Sequence, residues 1–164
     1  MKIIKKILIG LLLVLVVLQA FRPAKNISAD TTNDISKSYP VPEEVKTILT
    51  KSCFDCHSNN TVYPWYAEIQ PVAWWLNDHV KEGKREINFN EFSTYRIGRQ
   101  YKKLEECLKL VKENEMPLES YTIIHKNAVL SDTEKQTLST WFTSVRDSIK
   151  AKYPADSLIL KKKK

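Results

Sequence analysis

The stretch "SCFDCHSNN", residues 52–60, carries two cysteines three positions apart and a histidine directly after the second: Cys53, Cys56 and His57. Several chemistries use thiols at such a spacing. A structural zinc site needs four ligands. Here only three are at hand, His57 adjoins Cys56, and no second Cys-x-x-Cys completes a tetrahedron. A thioredoxin-like redox pair belongs in an α/β context, and the chain shows no convincing strand alternation. A disulfide across two residues closes almost no loop and stabilises little.

Covalent haem attachment uses every residue of the motif. Two thiols on about one turn each add to a vinyl group, and the adjacent imidazole is held under the iron. The expected cofactor is haem c, one per chain, joined through Cys53 and Cys56 with His57 as proximal ligand.

The N-terminus supplies an independent feature. "MKIIKKILIGLLLVLVVLQAF" places lysines ahead of an apolar run from Ile7 to Leu18, the layout of an export signal. The run is short for a full span of about 20 residues, but Ile3 and Ile4 with snorkelling lysines extend it. Residues 1–21 are read as an uncleaved single-pass anchor, with a cleaved signal as the alternative. The lysines keep the N-terminus cytoplasmic. The domain then lies on the periplasmic side of a bacterial inner membrane, or free in the periplasm if the signal is cut. Attachment of haem to thiols is done outside that membrane, so signal and motif agree.

The formal charge of +7 on 164 residues is concentrated at the ends. Without the first 25 residues, 21 bases face 19 acids; without Lys161 to Lys164 as well, 17 face 19. The folded part is near neutral and carries no basic stripe, so nucleic acid is not an expected partner. Residues 22–41 are polar and aperiodic and read as a flexible tether. The domain is placed at 42–150, with 151–164 as a basic C-terminal tail.

Four helices are expected in the domain. The first begins at Pro42 and aligns Val45, Ile48, Leu49 and Cys53. The second runs from Pro71 to Gly83, with Val72, Trp75, Leu76, His79 and Val80 on one face. The third spans Phe92 to Asn114, with Tyr101, Leu104, Cys107, Leu108 and Val111 as its stripe. The fourth follows a capping box at Ser131 to Glu134 and aligns Leu138, Trp141, Phe142, Val145 and Ile149. The fold class is all-α, a cytochrome c-like helical domain around one covalent haem behind a signal or anchor helix.

The iron's other axial position points to Met116, the only methionine besides Met1, which sits in a loop before Pro117. Histidine and methionine ligands favour electron transfer at a raised potential. His79 is the alternative sixth ligand, and His125 a weaker one. Tyr63, Trp65 and Trp75 are candidate walls for a flat apolar macrocycle. Arg96 and Arg99 could pair with propionates, although surface solvation is the ordinary fate of such residues. Cys107 lies on an apolar stripe and reads as packing.

With an amphipathic helix entering Cys-x-x-Cys-His, a Met-Pro loop and an aromatic-bearing last helix, the chain is similar to class I cytochrome c. More closely, "CFDCHSNNTVYPWYAEIQPVAWWLNDHVKEGKREINFNEF" resembles the haem-binding domain family of small exported bacterial proteins, over about residues 40–147. The resemblance implies covalent haem at Cys53 and Cys56, His57 as proximal ligand, and Met116 at the methionine position. Class I cytochromes carry glycine and an aromatic residue where the first helix crosses the last. Val45 and Leu49 stand there, which implies a repacked crossing filled by Trp141.

The expected function is membrane-tethered electron transfer to redox partner proteins, with no substrate turned over. The alternatives are a peroxidase-like enzyme or gas sensor with an open sixth position, and a haem-bearing accessory module of a larger membrane complex.

Overall fold

The computed structural model describes residues 2–160, so the lysines at 161–164 lie outside the described residues. Seven α-helices occur among them: α1 (Lys2–Leu18), α2 (Glu43–Ser52), α3 (Phe54–His57), α4 (Val72–Glu86), α5 (Ile97–Lys112), α6 (Glu119–Thr122) and α7 (Asp132–Lys152). No strand occurs among the described residues. An isolated antiparallel bridge joins Ile27 to Asn60.

Helix α7 forms where its pattern predicts. The Ser131 hydroxyl accepts the Glu134 N–H at 3.2 Å, and the Glu134 carboxylate accepts the Ser131 N–H at 2.9 Å. Two otherwise unpaired donors are satisfied together. Leu138, Trp141, Phe142, Val145 and Ile149 are all buried. They meet Leu104 and Val111 of α5 and Val45, Ile48 and Leu49 of α2 in one core that also takes in Ile35, Phe89 and Phe92. At the crossing of α2 and α7 the buried Trp141 donates its indole N–H to the Pro40 carbonyl at 2.9 Å.

Helix α5 starts later than its periodicity predicts. Residues Phe89–Thr94 form a 3-10 turn capped by the Asn88 side chain, and α5 begins only at Ile97. Phe89 and Phe92 of this turn are fully buried in the core. Asn114, with φ 60°, ends the helix in the left-handed region that asparagine tolerates.

Helix α4 differs in two ways. It runs on through Gly83 to Glu86. Its buried face is Ala73, Leu76, Val80 and Gly83, so the face is rotated toward the small residues. Trp75 and His79 sit at its exposed border, ring on ring at 4.2 Å. Bulk at Trp75 would hold α4 away from its neighbours, while Ala73 and Gly83 let it approach.

The segment read as a flexible tether is knitted to the domain. Asn26 donates its side-chain N–H to the Ser58 carbonyl at 3.0 Å and the Thr61 hydroxyl at 2.9 Å, and its backbone N–H to the Tyr63 hydroxyl at 2.8 Å. Ser28 N–H donates to Asn59 O at 2.8 Å, and Ile35 is buried. Polar residues look like linker in a sequence, but here they serve as hydrogen-bond partners. Beyond α7, Ala155–Leu158 turns back onto α5, where a Cβ on Gly98 would meet the Ser157 carbonyl at 2.9 Å. Part of the expected tail thus packs on the domain.

The apolar residues of α1 are exposed to solvent. A helical turn continues to Phe21, whose N–H donates to Leu18 O at 3.1 Å. No helix among the described residues is long and apolar enough to cross a membrane.

Ser131→Ala removes the reciprocal cap of α7. It is expected to lower unfolding stability by about 1 kcal/mol, read as a lower urea midpoint by far-ultraviolet circular dichroism with the slope unchanged.

Candidate functional site

Cys53, Cys56 and His57 come together because α2 ends at Ser52 and the chain re-enters a short helix at once. Cys53 caps α2 through its N–H to Leu49 O at 2.9 Å, and its own carbonyl accepts the His57 N–H at 2.9 Å. The single turn of α3 therefore carries Cys56 and His57 directly after Cys53, which caps it. All three cysteines are free. Burial pushes the Cys53 thiol up to about 12, and burial with the nearby Asp55 charge pushes Cys56 up to about 11. Both remain protonated thiols at neutral pH.

The imidazole is oriented from behind. His57 Nδ1 lies 2.9 Å from the Gly83 carbonyl and 3.0 Å from the Ile87 carbonyl. Carbonyls only accept, so Nδ1 carries the proton and Nε2 keeps its lone pair. Burial holds the ring pKa below its usual value despite those two carbonyls, so the ring is neutral. Phe89 packs edge-on against it at 6.5 Å.

Gly83 makes this possible. A Cβ there would stand 2.7 Å from the Cys56 carbonyl oxygen and 3.0 Å from Cys56 Cβ. Only glycine lets α4 lie against the Cys-x-x-Cys-His turn and bring the Gly83 carbonyl, with that of Ile87 just beyond the helix, to His57. An asparagine knot then fixes the other side. Asn59 N–H donates to the Asn90 side chain at 2.8 Å, Asn88 donates to the Asn59 side chain at 2.7 Å, and Asn90 donates to Asp34 at 2.7 Å. Because Asn88 follows Ile87, the knot also holds the second carbonyl in place.

The residues after α5 fold over the Cys-x-x-Cys-His turn. Tyr121 donates to the Asp55 carboxylate at 2.6 Å, and the other Asp55 oxygen accepts the Val62 N–H at 3.0 Å. Burial and the Asp55 carboxylate push the Tyr121 phenol far above its usual range, so it stays a donor. Tyr121 stacks on His125 at 4.3 Å and 15°, and His125 Nε2 meets the Tyr66 hydroxyl at 2.6 Å.

The family described as "Haem-binding domain" matches residues 13–144, most of the chain. The chain belongs to the haem-binding domain family. Comparison with curated proteins and with solved structures gives no match.

For a haem-binding domain the local chemistry fits the group. A metal-bound histidine usually gives its other ring N–H to a carbonyl or carboxylate, and His57 Nδ1 has two carbonyl acceptors. Cys53 and Cys56, both free, lie on the same turn. Among the described residues no cluster of three or more His, Cys, Asp or Glu is arranged to hold a bare metal ion.

The other candidates separate. Met116 is half-buried just beyond α5, its N–H donating to Leu110 O at 3.2 Å, and the peptide to Pro117 is cis. His79 donates Nδ1–H to the Trp75 carbonyl at 2.9 Å on the exposed border of α4. Trp65 is 77 % exposed, and Trp75 46 %. Tyr63 is occupied with Asn26 and the Lys25 ammonium. No hydrogen bond or ring contact among the described residues joins Tyr63, Trp65 or Trp75 to the Cys-x-x-Cys-His turn, and the aromatic segment is spent largely on fastening residues 19–28. Arg99 stacks on Tyr95 at 4.2 Å and donates to the Arg85 carbonyl at 3.0 Å, while Arg96 is exposed at the start of α5. Cys107 packs against the same core as Cys53, and burial pushes its thiol up to about 12.

Sequence reasoning missed Gly83, Ile87, Asp55, Tyr121 and the asparagine knot. The asparagines leave a trace in "INFN", residues 87–90, where amides alternate with core residues. The others act through backbone or across long sequence separations and leave none.

Gly83→Ala should force α4 off the Cys-x-x-Cys-His turn and cost about 1–3 kcal/mol, measured by thermal unfolding of the haem-free chain. Cys107 in the folded protein should react with iodoacetamide at pH 8 at least a hundredfold more slowly than after denaturation, because its thiol is buried and protonated. Mass spectrometry of the time course counts the adduct.

Proposed function

We propose that this haem-binding domain is a c-type cytochrome-like electron carrier held at the periplasmic face of a bacterial inner membrane. In this reading Cys53 and Cys56 would hold one haem through two thioethers, and His57 Nε2 and Met116 would be its iron ligands. The observation that carries this reading is the His57 Nδ1–H shared by the Gly83 and Ile87 carbonyls at 2.9 and 3.0 Å. It presents Nε2 in one tautomer and one direction beside two protonated thiols.

The haem supplies a reversible one-electron couple when bound. The chain's own groups do the rest. The thiols carry the hydrogens that addition to vinyl groups requires. The carbonyls of α4 raise the basicity of His57, which favours the ferric state. The apolar surroundings of Phe54 and Phe89, whose rings lie 5.8 Å apart, disfavour the extra ferric charge. No buried acid–base pair beyond the Tyr121–Asp55 and Tyr66–His125 contacts stands near the turn among the described residues, and both contacts are already satisfied. That favours electron transfer over a peroxidase.

The retained anchor is supported by how α1 leaves the domain. Gln70 is 1 % exposed. Its backbone N–H donates to the Gln19 side chain at 2.9 Å and its amide to the Phe21 carbonyl at 2.7 Å. Trp74 donates to the same carbonyl at 2.9 Å, and Arg22 and Lys25 pair with Glu68. Cleavage after Ala20 would strip Gln70 of a partner. The 17 residues of α1 rise only about 25 Å against a hydrocarbon core of about 30 Å, so the turn to Phe21 and the snorkelling lysines complete the span.

Acid denaturation and organic extraction of the exported protein should leave the colour with the polypeptide, and Cys53→Ala with Cys56→Ala should release it. Met116→Ala should abolish the red sulfur-to-iron charge-transfer band of the ferric form and lower the reduction potential. An unchanged band sinks the methionine assignment. Intact mass of the membrane-extracted protein should include residues 1–20; a mature chain beginning at Phe21 would show a cleaved signal instead.

A further inference from the structure

The connection between α5 and α7, residues 113–131, is long and carries only the single turn of α6 and a 3-10 turn at Lys126–Ala128. Long connections of this kind open easily unless something ties them down. At its start, Glu115 and Met116 donate to Leu110 O at 2.9 and 3.2 Å. At its end, the Ser52 hydroxyl donates to Ala128 O at 2.9 Å. Between these points the side-chain ties to the rest of the domain, among the described residues, are Tyr121 to Asp55 and His125 to Tyr66, both 2.6 Å. The stacking of Tyr121 on His125 joins the two into one clasp.

Asp55 is no arbitrary anchor. It lies between the two cysteines of the motif and two residues before His57. Its carboxylate is held by the Val62 N–H, and its carbonyl accepts the Thr61 hydroxyl at 2.6 Å. The acceptor is therefore rigid with respect to the attachment turn. Met116 stands five residues before Tyr121, so the chain between them reaches at most about 17 Å. Fixing Tyr121 at Asp55 and Met116 N–H at Leu110 ties the chain on both sides of Met116, which limits how far Met116 can move from the segment that carries His57.

We infer that Tyr121 is a positioning residue: by donating to Asp55 it clasps the 113–131 connection over the attachment turn and so keeps Met116 at the sixth position of the haem iron. This inference rests on Met116 being that ligand. A thioether is a weak, neutral ligand, and it holds against stronger ones because the loop keeps its local concentration high. Loosening the clasp lets external ligands compete.

The test uses the full haem-loaded chain in its ferric form. Imidazole displaces the methionine, followed by loss of the red charge-transfer band. Tyr121→Phe keeps the stack on His125 and removes only the hydroxyl, so displacement should speed up about tenfold, the loss expected for a hydrogen bond to a charged acceptor. Asp55→Ala should accelerate it to a similar extent, and the double variant no further, because both remove one interaction. In the haem-free chain, Tyr121→Phe should also hasten amide exchange over residues 118–125 while α5 and α7 keep their protection. A displacement rate equal to wild type in Tyr121→Phe, with Met116→Ala still abolishing the band, overturns the clasp and leaves the ligand standing. If Met116→Ala leaves the band intact, the ligand assignment falls and the clasp's role falls with it.

Discussion

The organisation of the site depends on one N–H shared by two carbonyls. His57 Nδ1 donates to the Gly83 carbonyl in the last turn of α4 and to the Ile87 carbonyl just beyond it. The Gly83 carbonyl also accepts the capping N–H of Ile87 at 2.9 Å, so one helix terminus ties its own cap and the imidazole together. The arrangement needs α4 to press against the Cys-x-x-Cys-His turn, and that needs position 83 to lack a side chain, since the Cys56 carbonyl occupies the space a Cβ would take. It also needs Ile87 to stay put after the helix has ended, and the amides of Asn59, Asn88 and Asn90 see to that.

This division of labour runs through the molecule. The apolar layer of α2, α5 and α7 with Phe89 and Phe92 is a scaffold that needs only hydrophobic bulk at helical spacing. The site is built at its edge from short turns whose backbone groups would otherwise be unpaired. Polar residues there are hydrogen-bond partners chosen for reach. Asn26 ties the N-terminal segment to the site, Asp55 holds two strands of contact at once, and Gln70 receives the end of α1. The electrostatics follow from the same burial, which keeps the thiols protonated and the imidazole neutral.

How much of this was legible in the sequence depended on the range of each signal. The α7 cap and stripe are local and periodic, and the structure follows them residue by residue. The α2 stripe leads into the motif as its spacing predicts. The α4 face was misjudged because periodicity ranks residues by hydrophobicity, while packing here selected the small Ala73 and Gly83 and left Trp75 outside. Residues 22–41 looked like a tether because a polar, aperiodic segment carries no mark of where its hydrogen bonds go.

By itself the sequence determined the reactive groups, Cys53, Cys56 and His57, and their order along one turn, because thiol spacing and adjacency are covalent facts. It also determined the all-α class, since the 3.6-residue repeat is written into the chain. Only the tertiary structure decided which imidazole nitrogen is free, which glycine admits α4, and which tyrosine closes over the turn. Those depend on atoms tens of residues apart meeting within 3 Å, from Asp55 to Tyr121 and from His57 to Ile87. No local pattern encodes such a meeting, because it is fixed by how the helices pack.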